Sequence, residues 1–428
     1  MTNDISTALR TLRLDPEDAK ALEALSSLHA SEATAGASEE LREALAAERA
    51  FHAESNAFDL CLRLLDAEVA IASGPEAQGA LLVEKARALW TELWQAQAAR
   101  DALAQATHLV PDLPAAVALL HEIEQEEAGW QEQAESLSAQ AAEAGDKPVA
   151  APLFAKEADL LLRHRNVTDE GEALYRRSLE LDPKNRHADL ALERLLRKPG
   201  RENDLAGHLA HRIAAADSQV DKGGAEFVAG RLAEKMDNRA EAIEHYRQAV
   251  LAAPSDARAF RALDRVFAEP SELGDLIKIY EAALKAAKRG QSEVPAALAL
   301  GNLHWKRLGK LDDAEQSFRR VKKASPFAPE VIAFYREYYL SREEIPQLLT
   351  LLGQAQKNET DAETRIRYGI EMATVAERRP QLLEKAIDAW KLLLRIRPGL
   401  PEAVEALRRL YTKAEKWNAL LELLALNQ

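Results

Sequence analysis

The sequence predicts an all-α fold, an α-solenoid of stacked antiparallel helix hairpins, and two observations support this. The first is composition: Ala and Leu, the strongest helix formers, dominate the apolar residues, and only 18 of the 428 residues are Gly. The β-branched and aromatic residues that favour strands are comparatively few. The second is a spacing that recurs about every 72 residues, which predicts a repeated structural unit.

The recurring spacing consists of a small residue, a large apolar residue four positions later, and a proline eight positions beyond that. Consecutive prolines of this kind are separated by 72, 71, 72 and 72 residues, a regularity that chance does not produce. The five copies are Ala99, Leu103, Pro111; Gly171, Tyr175, Pro183; Ala242, Tyr246, Pro254; Ala314, Phe318, Pro326; and Ala386, Trp390, Pro398.

Apolar residues also recur six, nine and twelve positions after each proline. Spacings of three place these side chains on one stripe of a helix, which predicts burial against a neighbouring helix. The copy after Pro183 has Asp189 at the first of these positions but keeps Leu192 and Leu195. The complete copies are Val117, Leu120, Ile123; Phe260, Leu263, Val266; Ile332, Tyr335, Tyr338; and Val404, Leu407, Leu410.

Each period predicts four helices, with Gly, Pro, Ser and Asp at the breaks. After Pro254 they are ARAFRALDRVFAE, LGDLIKIYEAALKAA, VPAALALGNLHWKRL and DDAEQSFRRVKKA. Half a period is therefore one helix hairpin. The second hairpin has Leu300 and Gly301 in its first helix and Ala314, Phe318 and Pro326 in its second, and the preceding period has Ala242, Tyr246 and Pro254 at equivalent positions. With these residues the hairpin resembles a tetratricopeptide repeat, and the resemblance implies a right-handed α-solenoid. The hairpin departs from the family pattern at Ala297 and His304 and by one extra residue before Gly309.

The spacing predicts an irregular, acidic segment over residues 1–110 and a regular solenoid over 111–428, with periods starting at 111, 183, 254, 326 and 398. Pro16 and Pro111 are 95 residues apart, which is 23 more than the 72-residue period, so the extra residues form one more helix or a long loop. SEATAGASEE is expected to be the loosest stretch.

The chain stops in mid-period and leaves an apolar stripe uncovered. We expect a fragment of a longer protein, or a C-terminal edge that docks onto another chain. The stripe is Trp417, Leu420, Leu421 and Leu424.

Charge and cysteine content exclude several classes of protein. The net charge is -14, and residues 1–150 contain 10 Lys and Arg against 27 Asp and Glu, whereas the remainder contains 46 against 43. Without a strongly basic face, nucleic acid is not expected as a partner.

Cys61 is the only cysteine, which excludes an internal disulfide and predicts a buried, unreactive thiol. Neither a secretory signal nor a membrane-spanning run is found, so a cytoplasmic location is expected.

The sequence contains no arrangement typical of catalysis. Phosphate loops, nucleophile elbows, two-histidine zinc helices and EF-hand loops are absent. His208 and His211 are three residues apart but have no third ligand nearby, and the HEIE segment at 121–124 is expected to be solvated helix surface around Ile123. We therefore predict no catalytic residue, no metal site and no cofactor, and we do not expect an enzyme.

The resemblance implies that the first helix of each hairpin lines a concave groove, which the residue after the glycine position faces. An arginine ladder there suits an acidic peptide or a terminal carboxylate. Alternatively, these arginines pair with glutamates of adjacent helices. The groove positions are Glu122, Arg194, Arg231, Arg265, Asn302, Glu337, Ile370 and Arg409. With Trp305 as aromatic anchor, the candidate partner-binding residues are Arg194, Arg231, Arg265, Asn302, Trp305 and Arg409.

We predict a noncatalytic scaffold that binds partner proteins or peptides through the groove and the open edges, as bacterial tetratricopeptide scaffolds do. The basic run from Lys306 to Lys323 is interpreted as a solvated outer face, or as a surface that attracts the acidic N-terminal third of another copy. Two alternatives stay open. One is a helical-repeat RNA-binding protein, and the other is the regulatory part of an enzyme that continues past residue 428.

Overall fold

All regular secondary structure among the described residues is helical, which confirms the predicted fold class. The structure is a computed structural model and describes residues 2–14, 16, 18–30 and 39–426, so most of SEATAGASEE lies outside the described residues. The first fourteen helices are α1 (Thr2–Leu14), α2 (Ala19–Ala30), α3 (Glu39–Glu54), α4 (Phe58–Ile71), α5 (Pro75–Thr91), α6 (Ala96–Leu109), α7 (Pro114–Ala144), α8 (Ala151–Arg165), α9 (Thr168–Leu181), α10 (Arg186–Leu196), α11 (Glu202–Ala215), α12 (Gln219–Lys235), α13 (Arg239–Ala252) and α14 (Ala257–Val266). The remaining nine are α15 (Leu273–Ala286), α16 (Val294–Asn302), α17 (Leu311–Ala324), α18 (Pro329–Ser341), α19 (Ile345–Asn358), α20 (Ala362–Glu377), α21 (Leu383–Ile396), α22 (Pro401–Lys413) and α23 (Trp417–Leu426).

The chain divides into two units, Met1–Glu272 (unit 1) and Leu273–Gln428 (unit 2). Their charges differ in sign. Unit 1 has 30 Lys and Arg against 49 Asp and Glu, whereas unit 2 has 26 against 21. Nearly all of the negative charge of unit 1 lies in its first 150 residues, because residues 151–272 contain 20 Lys and Arg against 22 Asp and Glu. The predicted division at residue 110 stays a prediction.

The repeated spacing marks the contact between the two helices of a hairpin. The small and the large residue of every copy are buried, because they lie on the face of the second helix that meets the first. In the α12–α13 hairpin, Gly230 lies directly beneath the ring of Tyr246, and a Cβ atom there would be 2.6 Å from the ring. Gly301 and Phe318 repeat this arrangement in unit 2, with a corresponding distance of 2.9 Å. A glycine in the first helix therefore makes room for the aromatic ring of the second.

The prediction of four helices per period is wrong for the period that starts at Pro111. Helix α7 runs without a break from Pro114 to Ala144, over the length predicted for two helices. Its sequence is rich in Ala, Glu and Gln and has no internal proline, and Gly129 alone does not end a helix. The prediction that Val117 is buried is also wrong, since 51% of it is exposed. The buried face of this helix begins instead with Ala116, Leu119 and Ile123.

Asp189, which interrupts the apolar stripe after Pro183, is neutralised by the next helix. It lies 3.2 Å from the Arg212 guanidinium and 3.1 Å from His208 Nε2, both on α11. His208 is buried in this contact, so the histidine pair in DLAGHLAHRI serves packing at its first member. A largely buried carboxylate, 14% exposed, is tolerated here because its charge has partners.

The described residues between Pro16 and Pro111 form five helices, α2 to α6, which is one more than the four predicted for a regular period. The extra residues of this segment thus include one more helix. The extra residue before Gly309 is accommodated within a helix. Residues Leu303–Arg307 form a single turn of π-helix between α16 and α17. The π-helix is closed by the Leu308 N–H, which donates to the carbonyl of Leu303 over 3.2 Å. A one-residue insertion is commonly absorbed in this way.

Helix α23 presents part of its apolar surface to solvent. Leu423 is buried against the neighbouring helices, whereas Trp417, Leu421 and Leu424 are 55%, 66% and 41% exposed. The uncovered stripe predicted at this edge is thus present at three of its four positions, and Leu420 is partly buried. None of the described helices combines the length and the apolar character needed to cross a bilayer.

Candidate functional site

Groove positions from successive hairpins lie next to each other within each unit. In unit 1, Arg231 and Arg265 line the same cavity of about 260 Å³, together with Arg261. In unit 2, Ile370 and Arg409 line one cavity of about 510 Å³ between α20 and α22. In these two pairs, groove positions of successive hairpins are neighbours, and their use in partner binding stays a prediction.

Two of the predicted arginines already pair with glutamates. Arg265 Nη2 lies 2.6 Å from Glu234 Oε2, and Arg409 Nε lies 3.0 Å from Glu377 Oε1. Both arginines are about half exposed, so these pairs are hydrated and contribute little stability, on the order of 0–1 kcal/mol each. The alternative raised for the ladder, pairing with an adjacent first helix, is what the structure shows at these two positions. Such weak pairs leave the arginines able to exchange partners.

Arg194 differs from the other arginines because its side chain is only 6% exposed. Its Nη2 lies 3.2 Å from Glu92, and its guanidinium carbon lies 5.3 Å from the centres of both the Phe58 and the Trp94 rings. Burial lowers the pKa of Arg194, and the negative charge of Glu92 opposes that shift. In this conformation Arg194 is not accessible to a partner.

Trp305 lies in the π-helix and reaches the next groove position. Its indole Nε1–H donates to Glu337 Oε2 over 2.9 Å. The ring packs edge-on against Phe318 and Phe334, with centroid distances of 5.8 and 5.5 Å. Phe318 and Phe334 are themselves stacked at 4.1 Å. A partly exposed tryptophan is thus held in one orientation from two sides.

Asn302, the remaining groove candidate, has an unusual environment. Its side-chain oxygen is buried and has no hydrogen-bond partner among the described residues. The same holds for Nδ1 of His304 and for Nε1 of Trp390, which lines the cavity between α20 and α22. Unsatisfied buried polar atoms are uncommon and costly. Asn302 precedes the π-helix, His304 lies within it, and Trp390 lies at the second groove cavity.

Sequence reasoning missed an aromatic cluster on α18. Tyr335, Tyr338 and Tyr339 continue the ring contacts of Phe334, and cations lie over them. Lys322 Nζ lies 4.2 Å from the Tyr335 centroid, and the Arg342 guanidinium carbon lies 4.6 Å from that of Tyr338. The run FYREYY was a usable signal, since four aromatic residues in six are rare at 5% aromatic content.

The described part of the chain offers no metal site, because no three His, Cys, Asp or Glu side chains are grouped to hold an ion. Its most connected buried carboxylate is Asp159, which accepts hydrogen bonds from Trp94, Tyr175 and His187. Burial alone would raise the pKa of Asp159, but the bonds from His187 and Tyr175 outweigh it and lower that pKa. These contacts join α8, α9 and α10 and have a structural role.

Comparison with known families identifies one hairpin. The tetratricopeptide-repeat family matches residues 227–256, which contain most of α12 and all of α13. The resemblance inferred from the spacing is confirmed at this hairpin, since the matched residues include Gly230, Ala242, Tyr246 and Pro254.

Solved structures with tetratricopeptide repeats resemble the chain at low similarity. Pseudomonas aeruginosa PilF is 17% identical, covers 60% of this chain and 95% of its own, and has a TM-score of 0.27. Yeast Tom70 is 12% identical, with coverages of 99% and 90% and a TM-score of 0.28. A chain of the APC/C hetero-tetramer Cut9–Hcn1 is 16% identical, with coverages of 95% and 72% and a TM-score of 0.23. At these TM-scores the likenesses carry no information on binding. No curated protein matches the chain.

Proposed function

We propose that the chain is a noncatalytic scaffold that binds partner proteins or peptides on the first-helix face of unit 2. This face consists of α16 with its π-helix, α18, α20 and α22. The observation that carries the proposal is the placement of Trp305, a partly exposed aromatic side chain fixed by Phe318, Phe334 and Glu337 on the groove positions. Rigid aromatic side chains of this kind dominate the affinity of protein interfaces, because little entropy is lost when they bind.

The partner that we propose for this face is an extended segment that places one carboxylate on Arg409. Arg409 is 59% exposed beside the cavity of about 510 Å³, whose other charged lining residues are Arg378, Glu377, Glu402 and Glu405. An incoming carboxylate exchanges with Glu377 for the Arg409 guanidinium and gains a two-point contact. Apolar side chains of the same segment find Ile370 and Trp390 in the cavity lining.

The experiment is capture from native lysate with the full chain as bait, followed by quantitative mass spectrometry. We compare the original chain with Trp305→Ala and Arg409→Glu, and with Arg395→Glu as the control. Arg395 is exposed on α21, a second helix, so the control makes the same charge change outside the face. We expect one set of proteins to be lost with both face variants and retained with the control. Equal capture by all four chains would contradict the proposal.

The same experiment separates the alternatives. Capture that disappears after ribonuclease treatment would favour an RNA-binding protein, which needs a basic groove with stacking side chains. Capture that is independent of Trp305 and Arg409, together with a native form of the chain that continues past residue 428 into a catalytic domain, would favour the regulatory part of an enzyme. A cytoplasmic location stays a prediction, which fractionation of the native host tests.

We also propose self-association as a second use of unit 2, because α23 exposes Trp417 and Leu421 and because the two units have opposite charge. Sedimentation of the full chain at increasing concentration tests this. Trp417→Ser is expected to abolish a dimer formed by the apolar edge, whereas high salt is expected to abolish one formed by charge. A chain that stays monomeric at high concentration would rule out both.

A further inference from the structure

The turn between α3 and α4 lies against helices that follow more than a hundred residues later in unit 1. Asn56, at the centre of this turn, is 2% exposed and has a positive φ of 58°. Its side-chain Nδ2–H donates to the backbone carbonyl of Leu190 over 3.1 Å, and its side-chain oxygen accepts from Arg194 Nη1 over 2.6 Å. Its backbone carbonyl accepts from Arg197 Nη1 over 3.0 Å. Both polar ends of the amide are therefore used by α10 and its C-terminus.

Aromatic and cationic contacts hold the turn on either side of Asn56. The ring of Phe58 lies 5.3 Å from the Arg194 guanidinium carbon. On the other side the ring of Phe51 lies 5.7 Å from the guanidinium carbon of Arg258, the second residue of α14. Arg258 Nη1 also reaches Ser55 Oγ at 3.5 Å. The turn thus contacts two first helices, α10 and α14, through arginines that face it.

A cavity lies beneath the turn. It has a volume of about 670 Å³, within the usual range for ligand sites, and Asn56 and Phe58 form part of its wall. The opposite wall is the end of α10, and the remainder comes from the α5–α6 turn and the end of α8. Cations outnumber carboxylates around it, since the charged residues that line it are Arg163, Arg194, Arg197, Lys198 and Asp59.

We propose that this face of unit 1, formed by α10 and the start of α14, is a docking site for a turn of a partner protein that carries an asparagine or aspartate side chain. The chain's own residues 55–58 occupy the site in this structure. Arg194 is one of the groove residues predicted for partner binding, and here it binds a side-chain oxygen of a residue 138 positions away in the sequence. A partner reaches Arg194 only when the α3–α4 turn leaves.

The chemistry of the contact defines the partner. Arg194 donates a hydrogen bond to a side-chain oxygen, and Arg197 donates one to a main-chain carbonyl. The carbonyl of Leu190 accepts a hydrogen bond from a side-chain amide N–H. An aspartate offers a charged acceptor to Arg194, and an asparagine also satisfies Leu190. An aromatic residue two positions later, as Phe58 follows Asn56, stacks on the guanidinium of Arg194.

The test measures how well the turn shields Arg194 from phenylglyoxal, a reagent specific for arginine, with the modified peptides quantified by mass spectrometry. Asn56→Gly removes the amide but retains a residue that adopts positive φ without strain. Because hydrogen bonds to a charged group are among the stronger ones, we expect Arg194 to react at least about 10-fold faster in this variant. Asn166→Gly is the matched control, since Asn166 also has a positive φ (51°) and lines the same cavity from α8.

A second variant guards against a trivial loss of structure. Arg258→Gln weakens the hold on Phe51 and Ser55 from the α14 side, and it should also accelerate modification of Arg194, by less than Asn56→Gly. Circular dichroism is recorded for each variant, and only chains with the helical signal of the original are compared. If Arg194 stays as protected in both folded variants as in the original, the turn is not a removable cover and the proposal fails.

The recognition part is tested in the folded Asn56→Gly chain with a synthetic peptide that copies residues 51–60, FHAESNAFDL. At millimolar concentration this peptide should slow the modification of Arg194 towards the original rate. The same peptide with glycine in place of its asparagine should not. Equal effects of the two peptides, or no effect of either, would show that the site does not recognise the asparagine side chain, and the proposal would fail. Neither result bears on the first-helix face of unit 2.

Discussion

Gly230 and the ring of Tyr246 occupy one shared space in the α12–α13 hairpin, since a Cβ atom on Gly230 would lie 2.6 Å from two ring carbons. Tyr246 cannot retreat, because it is fully buried and its hydroxyl donates to Glu234. We therefore expect Gly230→Ala to lower the free energy of unfolding by about 1–3 kcal/mol, the usual range for overpacking. Urea unfolding followed by circular dichroism measures the change.

Gly224 provides the control in the same helix. No atom outside its own helix backbone and chain neighbours lies within 4 Å of a Cβ built on it. Gly224→Ala should therefore raise the free energy of unfolding by about 0.5–1 kcal/mol, because alanine loses less backbone entropy in a helix. Equal effects at the two glycines would show that helix propensity, and not the ring of Tyr246, sets the cost.

The ion pair between His187 and Asp159 predicts a stability that depends on pH. The two side chains are 2.8 Å apart. The hydrogen bond with Asp159 raises the pKa of His187 above its ordinary value of 6.5, and burial opposes this only partly. The stability from His187 is therefore complete below pH 6.5 and is lost as pH rises through the raised pKa. The pKa of Asp159 is lowered from 3.8, so its share is present above that pH and is lost in more acidic solution.

We accordingly expect His187→Gln to lower the melting temperature most between about pH 4 and 6.5 and less at pH 9. Thermal melts of both chains in a series of buffers measure the difference. A difference that does not change over the whole range would show that the histidine acts by packing alone.

Removal of the π-helix at Leu303–Arg307 is expected to reduce partner binding without reducing thermal stability. Deletion of Lys306, which is exposed, removes the extra residue and should convert this turn to α-helix. Because π-helical turns have poor geometry and often persist for function, we expect unchanged or higher thermal stability. Partner capture should fall as far as with Trp305→Ala, since Trp305 loses its alignment with Glu337. Full capture by the deletion variant would show that Trp305 does not need the π-helix.

The thiol of Cys61 is expected to react slowly in the folded chain. Burial raises its pKa to about 12, and its Sγ–H lies 3.5 Å from the carbonyl oxygen of Arg49. Because the thiolate is the reactive form, a disulfide reagent at pH 8 should label the folded chain at least about 100-fold more slowly than the urea-unfolded chain. Rapid labelling of the folded chain would show that α3 and α4 separate often.

Local periodicity predicted the hairpins but not the contacts between distant ones. The proline spacing selected Ala242 and Tyr246, and both are buried because the contact that they make with the first helix recurs in every second hairpin. The contacts of Asn56 with Leu190 and Arg194 are not part of the repeat, because these residues are 134 and 138 positions away in the sequence. No sequence spacing therefore predicts these contacts. The same limit explains Arg194, which the repeat register places in an open groove and which the α3–α4 turn covers.

Arrays of repeats that touch only their neighbours are able to melt from an end, one repeat at a time. Helix α7 removes this freedom from unit 1. Its 31 residues extend about 46 Å, and they supply Leu119 and Ile123 to one apolar cluster and Leu137 to another. Unwinding at either end propagates along one hydrogen-bonded rod, so the hairpins on both sides of it lose their support together. Unit 1 is therefore expected to unfold in a single steep transition, with the cooperativity of a globular domain.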